Sequence, residues 1–210
     1  MKKTLRRLSL VMIATALVFT GCKKDQEEEE GIINGHECVD LGLPSGTKWA
    51  TCNVGANTPE GYGNYYAWGE ITIKTSYDQS SSVTSGLTLS DISGNPTYDA
   101  ARANWGSTWR LPTNAEMEEL VKNCTWTWTT QNEVNGMKVV GPNGNSIFLP
   151  AAGYFTKSSH EHVGEYGYYW SSTPYQSYVN YACFLDFSSN NHKVNKLGRS
   201  QGLPVRPVSK

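Results

Sequence analysis

The apolar positions of this chain fall in short runs and alternations, with few long amphipathic stretches. Trp126-Thr127-Trp128-Thr129 alternates large and polar residues, as a half-buried strand does. Gly136 to Val140 and Ser146 to Leu149 are split by Gly141-Pro142-Asn143-Gly144-Asn145, which predicts a hairpin with a loop. Val39-Asp40-Leu41 and Lys48-Trp49-Ala50-Thr51-Cys52 flank Leu43-Pro44-Ser45-Gly46, whose Pro and Gly suit a turn between two strands. Further strands are expected at Tyr168 to Ser171, Tyr181 to Phe187 and Leu203 to Pro207, and a short helix starting at Asn57-Thr58-Pro59-Glu60. Ser76 to Asn95, rich in Ser, Thr, Asp and Gly, reads as a long surface excursion. The one strong helix signal is at Thr113, which can cap the amide of Glu116 while Glu116 reaches back; Met117, Leu120 and Val121 then share a face. No fixed-period repeat is found. The pattern predicts an α+β fold of short antiparallel strands, one or two helices and long loops.

The N-terminus follows a different logic. Lys2, Lys3, Arg6 and Arg7 precede an apolar run from Leu8 to Phe19, too short for the roughly 20 apolar residues that span a bilayer. A basic start, a short hydrophobic stretch and small residues before Cys22 predict a signal peptide over residues 1–21. Gly21-Cys22 resembles a bacterial lipobox, which implies that Cys22 is acylated with palmitate-type chains, becomes the mature N-terminus and anchors the protein to a membrane. Residues 22–31, with Lys23-Lys24-Asp25-Gln26 and Glu27 to Glu30, hold nothing to bury and read as a disordered tether. An acidic run at this place resembles the export signal of Bacteroidetes lipoproteins, implying the outer membrane and display toward the cell exterior. A solubilising spacer is the plainer reading of the same run.

Loss of the four cations of the leader moves the formal charge from −1 to −5, too acidic for a nucleic-acid partner. Residues 32–210 are long enough for one domain with a real core. The 20 Gly, 12 Tyr and 7 Trp again favour strands and structured loops over a helix bundle.

Four stretches carry a family resemblance. They are Val39 to Gly46 with Trp49 to Ala56, Tyr65-Tyr66-Ala67-Trp68-Gly69-Glu70, Trp109-Arg110-Leu111-Pro112-Thr113, and Tyr169-Trp170-Ser171-Ser172 with Val205-Arg206-Pro207-Val208. In this order, over about Gly35 to Val208, the chain resembles the Fibrobacter succinogenes major paralogous domain, a family of secreted and lipid-anchored bacterial proteins. That family is related to the formylglycine-generating, sulfatase-modifying proteins. The resemblance implies a C-type-lectin-like fold whose long loops display ligand-binding side chains, and an extracellular glycan or protein as partner. By their own chemistry, Trp49, Trp68, Trp105, Trp109 and Trp170 are expected in the core, and Arg110 and Arg206 against loop carbonyls or a carboxylate such as Glu70 or Glu116.

Catalytic signatures are weak. The formylglycine-generating relatives use a cysteine pair near the end of the domain, and here only Cys183 lies downstream of Cys124, so a degenerate enzyme of that class is the lesser reading. No cofactor is implied. His160-Glu161-His162 has the residue types of a metal site but reads as a solvated polar turn, and His36 lacks a partner motif. Cys38, Cys52, Cys124 and Cys183 permit two disulfides in three connectivities. The resemblance favours Cys52–Cys124 and Cys38–Cys183, with free buried thiols the alternative.

Seven of the 12 tyrosines fall between Tyr154 and Tyr181. Tyr, Ser, Gly and Asn are the residues of adaptable binding loops. Tyr154, Tyr166, Tyr175, Tyr178, Asn190, Asn191 and His192, in segments read as loops, are therefore the candidate ligand-binding residues. A binding module that recognises an extracellular glycan or protein is the leading function; a structural subunit of a surface assembly is the rival.

Overall fold

The computed structural model describes residues 31–210. The predicted signal peptide, Cys22 and all but the last residue of the tether lie outside them. Within them the fold is mostly antiparallel β-sheet with two helices. The strands are β1 (Ile32–Ile33), β2 (His36–Asp40), β3 (Lys48–Ala50), β4 (Tyr65–Tyr66), β5 (Thr125–Gln131), β6 (Val134–Val140), β7 (Ser146–Pro150), β8 (Tyr154–Thr156), β9 (Ser159–Glu161), β10 (Tyr166–Pro174), β11 (Tyr181–Ser188), β12 (Asn191–Gly198), β13 (Leu203–Pro204) and β14 (Val208–Ser209). The helices are α1 (Ala100–Trp105) and α2 (Asn114–Asn123).

The strands form sheets β1-β2-β3-β14, β10-β11-β12 and β5-β6-β7 and the pairs β4-β13 and β8-β9. Trp49 opposite Val208 joins the two ends of the domain. The expected hairpins at 42–47 and 141–145 are present, with Val39 opposite Trp49 and Val139 opposite Ile147. Gly141 is required there, because a Cβ would lie 2.1 Å from the Leu41 carbonyl.

The β10-β11-β12 sheet divides the core. Successive side chains of a strand point to opposite faces. Tyr169, Leu185 and Phe187 pack with Leu41, Trp49, Met117, Leu120 and Val139 on one side, whereas Trp170 and Phe184 pack with Trp68, Trp105, Trp109 and Val205 on the other. The five tryptophans are thus shared between two clusters instead of forming one stack. Three of the indoles are satisfied by distant carbonyls: Trp68 Nε1 donates to Ser171 O, Trp109 Nε1 to Ile33 O and Trp170 Nε1 to Tyr66 O, at 2.8–2.9 Å.

Helix α2 carries the predicted capping box. Glu116 N donates to Thr113 Oγ1 (3.2 Å) and Thr113 N to Glu116 Oε2 (2.9 Å). Met117 and Leu120 are buried, while Val121 is half-buried. Thr113→Ala is expected to lower the unfolding free energy by about 0.5–2 kcal/mol in urea denaturation, since one helix-end amide loses its acceptor.

Two expectations fail. Residues 57–60 form turns, with Gly61 N bonded to Thr58 O (3.1 Å) and no helix beyond; Gly63, at φ +71°, turns the chain away. The segment Asn190 to His192 is not a loop without alternation: Ser188 pairs with Asn191 and Phe187 with His192, so a tight hairpin turn leads directly into β12.

Candidate functional site

The structure divides the seven candidate binding residues among three places. Tyr175 and Tyr178 lie on the loop joining β10 to β11, whereas Tyr166 begins β10 at its far end, nine residues and roughly 27 Å of strand away. Tyr154 in β8 joins Tyr166. Asn190 lies in the β11–β12 turn and Asn191 opens β12, both near Tyr166, but His192 points to the opposite face, its ring stacked on Trp126 at 4.8 Å. One common site for all seven is excluded by that geometry. Burial behind Trp126 lowers the pKa of His192.

The β10–β11 loop is a built aromatic tip. Tyr175 stacks on Tyr178 at 5.9 Å and Tyr178 meets Tyr181 at 5.8 Å, while Lys196 Nζ sits 5.0 Å over the Tyr175 ring. Tyr175 N donates to Tyr181 O (3.0 Å) and Tyr181 N to Tyr178 O (2.9 Å), so the loop holds its own shape. Tyr178 is nevertheless 63% exposed, and Val179 and Tyr181 about as exposed as the nearby Leu87.

Arg199 fastens this tip to the long excursion. Its buried guanidinium donates from Nε to Tyr181 O (3.2 Å) and from Nη1 to Leu87 O (2.9 Å), and it lies 4.1 Å over the Trp68 ring. Gly86 N also donates to Asn180 Oδ1 (2.6 Å). Burial lowers the pKa of Arg199. A loop fixed in this way loses little entropy on binding.

At the other end, Tyr154, His162, Tyr166 and Tyr168 form a closed cycle of rings. Neighbouring centroids lie 6.0 Å apart for Tyr154–His162, 5.2 Å for His162–Tyr166, 5.9 Å for Tyr166–Tyr168 and 5.1 Å for Tyr168–Tyr154. Gly167 allows the close packing beneath, because a Cβ would fall 2.0 Å from the Phe187 ring. Tyr168 and Asp186 oppose each other across β10 and β11. Burial and then the Asp186 charge raise the Tyr168 phenol's pKa. Tyr168, His162 and Asp186 on this face, and Tyr181 and Lys196 at the tip, were not among the sequence candidates. The i, i+2 relation of Tyr166 to Tyr168 is the signal that marks the first of them.

The His160-Glu161-His162 stretch is exposed at both histidines, as expected, but it is not a turn. Ser159 to Glu161 is strand β9, and His160 Nε2 donates to Ala152 O (2.9 Å) with its ring stacked on Phe155 at 4.3 Å. His162, at φ +59°, leaves the strand and joins the Tyr154 cycle. The two imidazoles therefore serve separate aromatic groups.

The favoured disulfides are not formed, since Cys52, Cys124 and Cys183 are free thiols. The two cores explain this. Cys38 packs with the Trp109 cluster, whereas Cys183 alternates with Phe184 and so shares the face of Leu185 and Phe187. Cys124 packs against that second cluster, while Cys52 lines a surface cavity with His36 and Trp105 on the first side. Burial raises the Cys124 thiol to about 11 and pushes Cys183 up as well.

The overall class is thus an α+β domain, mainly antiparallel sheet, with two aromatic surfaces at opposite ends of its central sheet. A family model described as a domain of unknown function, DUF8237, matches residues 111–208, which run from the approach to α2 through both surfaces to β14. No curated protein and no solved structure matches the chain.

Proposed function

We propose that this protein is a lipid-anchored recognition module of C-type-lectin-like fold, displayed on the outer face of a bacterial outer membrane, which binds an extracellular glycan or protein without catalysing a reaction. The observation that carries the binding role is the β10–β11 tip. Three tyrosines there pack on one another and on Lys196, the backbone holds itself, and the most exposed ring, Tyr178, faces solvent. Rigid, exposed aromatics are what recognition loops use. Antiparallel sheet, two small helices and a long excursion between β4 and α1 support the lectin-like reading, and the Gly21-Cys22 pattern supports the anchor.

The exposed Leu87 and Val179 beside the tip favour a second reading, a structural subunit whose loops meet a neighbouring protein. Size analysis of the detergent-solubilised protein separates the two. Under the recognition reading it runs as a single copy, and Tyr178→Ala weakens attachment to the cognate surface by about tenfold, as loss of an exposed aromatic anchor does, with an unchanged thermal midpoint. Unaltered attachment by Tyr178→Ala would overturn the role of the tip. Cys22→Ala is expected to abolish partitioning into detergent, because the acyl chains supply the membrane affinity; equal partitioning would remove the anchor.

A further inference from the structure

The face of β10-β11-β12 that carries Tyr166 and Tyr168 has polar partners at its margin. Across the strands, Tyr166 opposes Ser188 and Asn191, and Tyr168 opposes Asp186 and Lys193, all on one face. Asn191 and Lys193 are exposed, and Asp186 is half-buried. Asp186 accepts a long bond from Asn195 Nδ2 (3.4 Å), and a carboxylate offers about four acceptor sites, so most of its capacity remains. Aromatic surface, a carboxylate, an ammonium and an amide thus lie within two neighbouring cross-strand rows.

The rings themselves limit what can bind. The diagonal of the cycle, His162 to Tyr168, is 6.5 Å, and each ring touches its neighbours, so no gap remains among them for a cation to enter. What they present outward is the Tyr166 ring, 36% exposed, as a flat platform with the exposed His162 set edge-on beside it, while Tyr168 is half-buried between Tyr166 and Phe184. A flat platform suits a flat apolar surface laid upon it. The C–H face of a pyranose has that shape, and its ring of hydroxyls carries both donors and acceptors at the edge. Asp186 can accept from such hydroxyls, while Lys193 and Asn191 can donate to them. Asp186 and Lys193, paired across the strands, cancel in charge, so the face matches a sugar without net charge.

We propose that this face is a second binding site, independent of the tip, which takes a neutral pyranose unit of an extracellular polysaccharide by stacking on Tyr166, backed by Tyr168, and hydrogen bonding to Asp186, Lys193 and Asn191. The two sites, at opposite ends of β10, allow the module to hold a glycan strand and a second contact together. This site does not depend on the tip reading, and the two fail separately.

Affinity electrophoresis of the full chain tests it, in native gels cast with a soluble β-glucan, an α-glucan, a mannan or a galactan, and with an acidic polysaccharide for contrast. At least one neutral polymer is expected to retard the wild type. Tyr166→Ala and Asp186→Asn should weaken that retardation at least tenfold while keeping the wild-type thermal midpoint, and Tyr178→Ala should leave it unchanged. Tyr166 is used in place of Tyr168 because Tyr168 packs against the Trp109 cluster and its truncation endangers folding. Asp186→Asn keeps the shape and removes the charge. No retardation by any neutral polymer, retardation by the acidic one alone, or full binding by Tyr166→Ala would overturn the proposal. Loss of binding in Tyr178→Ala instead would move the sugar to the tip.

Discussion

Glu116→Gln is expected to lower the unfolding free energy by about 3–5 kcal/mol at neutral pH, the effect of removing one partner from a buried ion pair. The carboxylate accepts from Arg110 Nη1 (2.7 Å), Thr113 N (2.9 Å) and Thr47 Oγ1 (2.8 Å), and a second guanidinium bond from Nη2 makes the pair bidentate. It is 8% exposed. Through it α2 is tied to the β2–β3 turn and to the strand-like segment at Arg110, which pairs with Val208. Glutamine keeps the volume but leaves the Arg110 cation without its anion.

The pH dependence follows from the same geometry. Burial by itself would raise the Glu116 carboxyl, but hydrogen bonds and charge from Arg110, with help from Thr113, outweigh it and hold the group down to about 2. A carboxyl whose folded pKa lies below its unfolded value, about 4.3, stabilises the fold fully above that unfolded value and loses the contribution as the pH falls toward 2. Urea denaturation of wild type and Glu116→Gln should therefore show a gap that is constant above about pH 5.3, one unit above that value, and closes as the pH approaches 2. Equal midpoints at pH 7 would contradict the role assigned to the pair.

Arg206→Met is expected to destabilise the domain by more than about 3 kcal/mol, because each buried carbonyl left without a donor costs about 1–3 kcal/mol. The guanidinium is 1% exposed and reaches Asn53 Oδ1 (2.8 Å), Ala50 O (3.0 Å) and Thr51 O (2.6 Å), all neutral acceptors. Burial lowers its pKa, and the carbonyls compensate the charge in place of a carboxylate. Asn53 in turn donates to Tyr62 O (3.0 Å), so one side chain near the C-terminus organises the loop from residue 50 to residue 62. Methionine preserves the apolar stem and removes the fan of donors. Arg206→Lys should recover only part of the loss, since a single ammonium cannot reach three acceptors spread in a plane. Thermal unfolding with limited proteolysis in residues 51–62 measures both. A wild-type midpoint in Arg206→Met would refute this account.

Some elements were legible because their causes are local. The Thr113–Glu116 box needs two residues three apart, and the hairpins around Leu43 to Gly46 and Gly141 to Asn145 need their turn residues and flanking apolar pairs. Helix α1 was equally local and went unread: Asp99 caps it by accepting from Arg102 N (3.0 Å) and Gly106 ends it. A six-residue helix shows too little periodicity to announce itself, although an Asp before Ala-Ala-Arg-Ala and a following Gly mark both ends. Strand β12, Asn-His-Lys-Val-Asn-Lys-Leu-Gly, was hidden for another reason. It is the outer strand of its sheet, buries little, and is strand only because β11 lies beside it.

The chain by itself determined where the backbone turns and which helix start is capped, since turn and cap chemistry act over three or four residues. It also placed the aromatic residues in the C-terminal part of the domain. Tertiary structure alone decided how those residues are grouped. Alternation along β11 sent Cys183 away from Cys38, alternation along β12 sent His192 away from Asn191, and the length of β10 set Tyr166 far from Tyr178. Sequence neighbours in a strand point to opposite faces, and partners across a sheet come from any distance along the chain; which tyrosines share a surface is therefore a property of register, and register is settled by the packing of both cores at once.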